Sequence, residues 1–199
     1  MLTYHNNAET VFIVLHEIYG INSHIRQVCT KLAQYGADVI APDLYAGGEV
    51  FGYDQEAAAY EFFIKKVGFE AAYRQANKAL YEAQTNYKQV YVLGYSVGAT
   101  LAWRCSAACL CDGVIGFYGS RIRDYLALTP KCPVLLFFPE QEKSFSVDEL
   151  MSQVNNHKNV QVIKLAGMHG FADAFSPMYH KESAKQACKE IITFMRQIC

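Results

Sequence analysis

The stretch that decides the fold reads Val90-Tyr91-Val92-Leu93-Gly94-Tyr95-Ser96-Val97-Gly98-Ala99-Thr100-Leu101-Ala102. Its first four residues are an apolar run of strand type, and its last four are a small-residue stretch of helical type. Between them Ser96 stands at the apex of a sharp turn, with a glycine two places before it and another two places after. Such a turn pushes the serine oxygen out over the end of a sheet. It also sets the hydroxyl at a helix N-terminus, whose N–H groups stabilise negative charge. The glycines have a steric reason, because side chains at those crowded positions would clash. The stretch predicts a nucleophilic serine on an α/β scaffold.

Outward from this turn, apolar runs alternate with helical patterns. Residues 11–15, 37–40, 90–93, 114–117, 134–138 and 160–165 read as strands. Residues 21–34, 56–67, 69–86, 99–108, 147–156 and 177–196 read as helices, with a break at Gly68 and Pro177 in the first turn of the last one. Uniformly apolar strands between helices imply a mostly parallel sheet covered on both faces. No linker, repeat or low-complexity tract divides the chain, so residues 1–199 are expected to form a single domain. The glycine- and aromatic-rich stretch 45–55 is the expected mobile loop near the site.

Composition narrows the function classes. The chain has 199 residues, 52% of them hydrophobic, and a formal net charge of -1, which suits one globular domain with a sizeable core and gives no electrostatic case for nucleic acid. Its N-terminus lacks a basic region followed by an apolar one, and no apolar run approaches the roughly 20 residues of a membrane span. No signal peptide and no membrane partner are therefore expected. Seven cysteines, odd in number and irregularly spaced, argue against a disulfide framework and for a reducing, cytoplasmic setting. Cys105, Cys109 and Cys111 lie close in sequence but lack a paired Cys-x-x-Cys or a nearby histidine, so no metal site is expected from them.

In an open parallel sheet the ligand sits beyond the carboxyl ends of the strands. The segments that can reach it include 16–22, 42–52, 95–98, 118–124, 139–146 and 167–175. A serine nucleophile needs a base, and the base needs an acid to orient it; in this fold the chain order is serine, acid, histidine. His169, after the strand 160–165, stands where the base is required. The acid comes from the loop after 134–138, where Glu142 is preferred and Glu140 and Asp148 are the alternatives. The backbone N–H groups of Val97 and Ile18 are the expected oxyanion donors. Tyr19, Tyr45, Tyr95 and Tyr118 are expected to line the pocket, which suits a small apolar or aromatic acyl group. Arg121 and Arg123 either bind an anionic group of the substrate or pair with Asp124 and nearby acids.

At this point the chain resembles a known family. His16-Glu17-Ile18-Tyr19-Gly20-Ile21-Asn22, Ile25-Arg26 and Val39-Ile40-Ala41-Pro42-Asp43-Leu44-Tyr45 look like the dienelactone hydrolase family. Gly94-Tyr95-Ser96-Val97-Gly98 and Gly167-Met168-His169-Gly170-Phe171 fit it in the same order. The resemblance implies a compact α/β-hydrolase fold without a large cap domain, acting on small esters or lactones. It maps the triad to Ser96, Glu142 and His169, the second oxyanion donor to Ile18, and the family's active-site glutamate, which touches the nucleophile at rest, to Glu17. The dienelactone-cleaving members use a cysteine where this chain has Ser96. They also carry a substrate-gripping arginine soon after the histidine, where this chain has Phe171-Ala172-Asp173. The family's leading hairpin is expected to be reduced or missing.

The sequence thus predicts a serine-dependent carboxylic ester hydrolase, a monomer or small homo-oligomer without metal or organic cofactor. Its rivals are a thioesterase or acyltransferase with the same triad, and a non-catalytic ligand-binding member of the fold.

Overall fold

The chain enters its sheet through β1 (Leu2–Tyr4), which pairs antiparallel with β3 (Asp38–Ala41). At three residues this strand is too short for its alternation to be read in sequence. The computed structural model describes residues 1–143 and 145–198. The remaining strands are β2 (Thr10–Leu15), β4 (Gln89–Tyr95), β5 (Gly113–Phe117), β6 (Val134–Gln141) and β7 (Val160–Met168). The order across the sheet is β1-β3-β2-β4-β5-β6-β7, and every pair except β1·β3 is parallel.

Alternation along the strands builds a core on each face. Val11, Ile13 and Leu15 of β2 enter one cluster, with Val90 and Val92 of β4 and Leu136 of β6. Phe12 and Val14 enter the other, with Tyr91, Leu93 and Phe137. Both sides of each strand are therefore apolar, as a sheet with helices on both faces requires. The first face is covered by α3 (Gly68–Asn86), α4 (Val97–Cys105) and α5 (Val147–Val154) through residues such as Ala76, Leu80, Leu101 and Leu150. The second is covered by α1 (Ser23–Gln34) and α6 (Lys181–Ile198) through Ile25, Cys29, Ala187 and Phe194. The fold is a compact α/β-hydrolase fold with no large cap. Among the described residues, no helix is long and apolar enough to cross a membrane.

Several helix ends differ from expectation, each for a local reason. The first helix starts at Ser23 because the Asn22 side chain caps it, accepting from the Ile25 N–H at 3.1 Å. The helical region from 56 to 86 is α2 (Glu56–Phe62), a π turn over Phe63–Val67, and α3, broken where Gly68 takes φ +72°. The last helix starts at Lys181 rather than Pro177. Residues 171–180 instead fold back on themselves, with the His180 N–H bonded to Phe171 O at 2.9 Å. The strands β6 and β7 run three residues longer than the apolar runs that announced them, and this extension builds the site.

Candidate active site

Ser96 sits between β4 and α4 with φ 52° and ψ -112°, a conformation that L-residues rarely adopt. The glycines around it explain how the turn is tolerated. A Cβ on Gly98 would run into the Leu15 carbonyl, and one on Gly94 into the backbone of Gly98. The Ser96 N–H is tied to Phe117 O at 2.9 Å, which fixes the turn against β5. Val97 opens α4, so its N–H is one of the orphan donors at a helix start.

Across the sheet, Gln141 and Met168 are partners in the parallel β6·β7 register. The next residues of each strand, Glu142 and His169, emerge side by side. His169 Nδ1 lies 2.6 Å from Glu142 Oε1, and His169 Nε2 lies 2.9 Å from Ser96 Oγ. A carboxylate only accepts, so the ring proton belongs on Nδ1 and Nε2 is left to accept from the serine hydroxyl. Glu142 is 7% exposed and His169 37%, so the acid is shielded while the imidazole faces the opening. The two other candidate acids are elsewhere: Asp148 pairs with Lys164, and Glu140 is exposed.

The second oxyanion candidate is held by two contacts. His16 Nδ1 lies 2.7 Å from Glu17 O, and His16 Nε2 accepts the Leu44 N–H at 3.1 Å. These contacts fix the tautomer with the proton on Nδ1. Burial pushes the His16 pKa down to about 4, so the ring is neutral. Because the peptide is planar and trans, anchoring Glu17 O also sets the direction of the Ile18 N–H. On the far side, the Tyr45 hydroxyl donates to Ile18 O at 2.6 Å.

Glu17 is buried, and its Oε1 has no partner. Burial first, then the Asp173 charge, pushes its pKa up to about 8. Among the described residues it makes no hydrogen bond to Ser96. It instead shares a buried cluster with His24 and Asp173. Burial lowers the His24 pKa to about 4, and the Asp173 charge opposes that shift. Asp173 accepts from the Tyr53 hydroxyl and from the Phe175 N–H. Burial, followed by the Asp173 hydrogen bond, raises the Tyr53 phenol pKa and keeps it a donor. Sequence reasoning passed over His24, Tyr53 and Asp173 as site residues. The signal available for Asp173 was an acid four places after the histidine.

The four tyrosines expected to line the pocket differ in where their rings lie. Tyr95 is buried in the second core cluster, stacked on Phe117 at 4.9 Å, because its place on β4 turns it under the sheet end. Tyr45 is buried in the first cluster and serves Ile18 O. Tyr118 is fully buried, with its ring 4.8 Å from that of His169. Tyr19 is half-buried against Tyr53, its ring centroid 4.9 Å away. Arg121 is held by Asp124 at 2.6 Å, and Arg123 lies over the Phe145 ring.

The family model described as the dienelactone hydrolase family matches residues 1–199. The chain belongs to that family. It is 37% identical over 171 residues to the uncharacterized protein YczH of Bacillus subtilis, covering 85% of this chain and 84% of YczH. It is 24% identical over 233 residues to a putative carboxymethylenebutenolidase of Saccharolobus solfataricus, covering 96% and 91%. In fold it matches the crystal structure of a putative dienelactone hydrolase from Klebsiella pneumoniae subsp. pneumoniae, with TM-score 0.78 and 21% identity, over 94% of this chain and 86% of the other. Membership of the dienelactone hydrolase family makes this chain a hydrolase of the ester-cleaving class.

Proposed function

We propose that the protein hydrolyses small carboxylic esters or lactones through an acyl-enzyme on Ser96. The observation that carries this reading is the continuous line from Glu142 through His169 to Ser96, at 2.6 and 2.9 Å. His169 Nε2 takes the serine proton as Ser96 Oγ attacks the carbonyl carbon. Glu142 holds the ring in the tautomer this requires and stabilises the imidazolium. The oxyanion forms beside the N–H groups of Val97 and Ile18, each such donor being worth about 3 kcal/mol in comparable sites. The imidazolium then protonates the departing alkoxide. In the second half, His169 takes a proton from water, the hydroxide attacks the acyl carbon, and the acid leaves with Ser96 restored. No step calls on a metal or organic cofactor.

The surroundings favour uncharged substrates. The stretch after His169 reads Phe171-Ala172-Asp173, with no cation to receive a substrate carboxylate, and Arg121 is paired with Asp124 at 2.6 Å. The expected substrates are therefore neutral short-chain esters and simple lactones rather than acidic lactones.

A panel of p-nitrophenyl esters, small lactones and acyl thioesters tests this reading, with wild type beside Ser96→Ala. The expected result is ester or lactone turnover that falls at least about 10³-fold in the variant. Turnover of thioesters alone would move the reading to a thioesterase. No turnover of any member by folded wild-type protein would overturn it.

A further inference from the structure

We infer that Glu17, His24 and Asp173 form a site for one divalent transition-metal ion, of the zinc or manganese class, which clamps the loop bearing Ile18 to the loop bearing His169. The ion takes no part in the hydrolytic chemistry above, and the inference stands or falls separately from it.

The three residues come from three segments: the end of β2, the first turn of α1, and the connection from β7 to α6. Each offers one ligand atom, and these atoms lie within 4.8 Å of one another. An ion placed among them sits close to the ~2.0–2.2 Å of zinc–nitrogen and zinc–oxygen bonds after only small side-chain movement. All three residues are buried, with relative exposures of 4%, 2% and 1%. Two carboxylate oxygens and one imidazole nitrogen suit zinc, manganese or ferrous iron better than calcium or copper(I).

A second observation points to a missing partner. Glu17 Oε1 is buried with nothing to bond to, and buried polar atoms are seldom left so. The contact that closes the cluster, His24 Nδ1 to Asp173 Oδ1, is 3.4 Å, long for a hydrogen bond. The outer shell is built as metal sites usually are. The Tyr53 hydroxyl and the Phe175 N–H orient Asp173, and Asn22 Nδ2 in turn contacts the Tyr53 hydroxyl at 3.3 Å.

The consequence is mechanical. Glu17 directly precedes Ile18, and Asp173 lies four residues after His169, so one ion ties an oxyanion donor to the general base.

The test uses the full chain, stripped with a chelator and dialysed, then titrated with Zn²⁺ and separately with Mn²⁺ by calorimetry. Wild type is compared with Glu17→Gln, His24→Phe and a Cys111→Ser/Cys132→Ser double variant. The double variant is included because those two sulfurs lie 3.7 Å apart and offer zinc a competing soft site. The inference expects one equivalent bound by wild type and by the cysteine variant, with at least ~10-fold weaker binding in the other two. No stoichiometric binding, or binding lost only in the cysteine variant, overturns it. Should the two cluster variants fail to fold, cobalt substitution of wild type decides. Ligand-field bands without a thiolate charge-transfer band support the site. A thiolate band, or no cobalt spectrum, overturns it.

Discussion

Gln141 of β6 is the register partner of Met168 of β7, and that pairing is what brings Glu142 against His169. Two strands each running three residues past their apolar segments thus do the work of aligning an acid and a base. If Glu142 acts by orienting the imidazole, Glu142→Gln keeps the shape but cannot hold the required tautomer. The expected effect is a drop in kcat of about 10²–10⁴-fold with KM little changed. Steady-state kinetics on a p-nitrophenyl ester measure both. An unchanged kcat would remove Glu142 from the mechanism.

His16 is predicted to act at one remove. It bonds to Glu17 O and so aims the Ile18 N–H. His16→Phe fills the space without that bond, and kcat is expected to fall by up to about 10³-fold, the upper end of the range for a lost oxyanion donor. A transition-state analogue should lose affinity in parallel, whereas binding of the ground-state ester should hold. Equal losses for both ligands would argue for general disorder instead.

The serine turn was legible in the sequence because its glycines and its strand-to-helix switch are local signals. His169 was legible for the same reason, as a histidine between glycines after a strand. The acid was less so. Glu140, Glu142 and Asp148 are alike in sequence, and what separates them is the strand register and the Lys164 partner of Asp148, both long-range. The Glu17, His24 and Asp173 cluster was hidden because Asp173 lies 156 residues after Glu17 and 149 after His24. Which way the Tyr45 and Tyr95 rings turn was not legible, because it depends on packing against Phe62 and Phe117, which are distant in sequence.

Gly98 should tolerate no side chain. Its missing Cβ is where the Leu15 backbone passes, and backbone cannot swing aside as a side-chain tip can. Gly98→Ala is expected to destabilise the fold by more than about 2 kcal/mol, with Ser96 displaced. Urea unfolding of the variant beside wild type reads the loss. A midpoint equal to wild type would contradict the packing described.

Asp38 predicts a pH dependence of stability. Burial alone would raise its pKa. Hydrogen bonds from the Ala8 and Asn6 N–H groups, the Tyr87 hydroxyl and His5 outweigh that and hold it below the ordinary 3.8. A depressed folded pKa gives stability that is present above the unfolded value and lost as pH falls through the folded one. Asp38→Asn should therefore cost about 1–3 kcal/mol at neutral pH, and its deficit should shrink below pH 3.8. Thermal unfolding of both proteins between neutral and acid pH checks the sign. A deficit that grows with acid would refute it.

The most direct test of the central claim is fluorophosphonate labelling of the wild-type protein, with the adduct located by mass spectrometry and His169→Ala as the control. An activated serine predicts rapid stoichiometric modification of Ser96 that is lost in the control. Folded wild-type protein that stays unlabelled, or labels equally fast without His169, would contradict it.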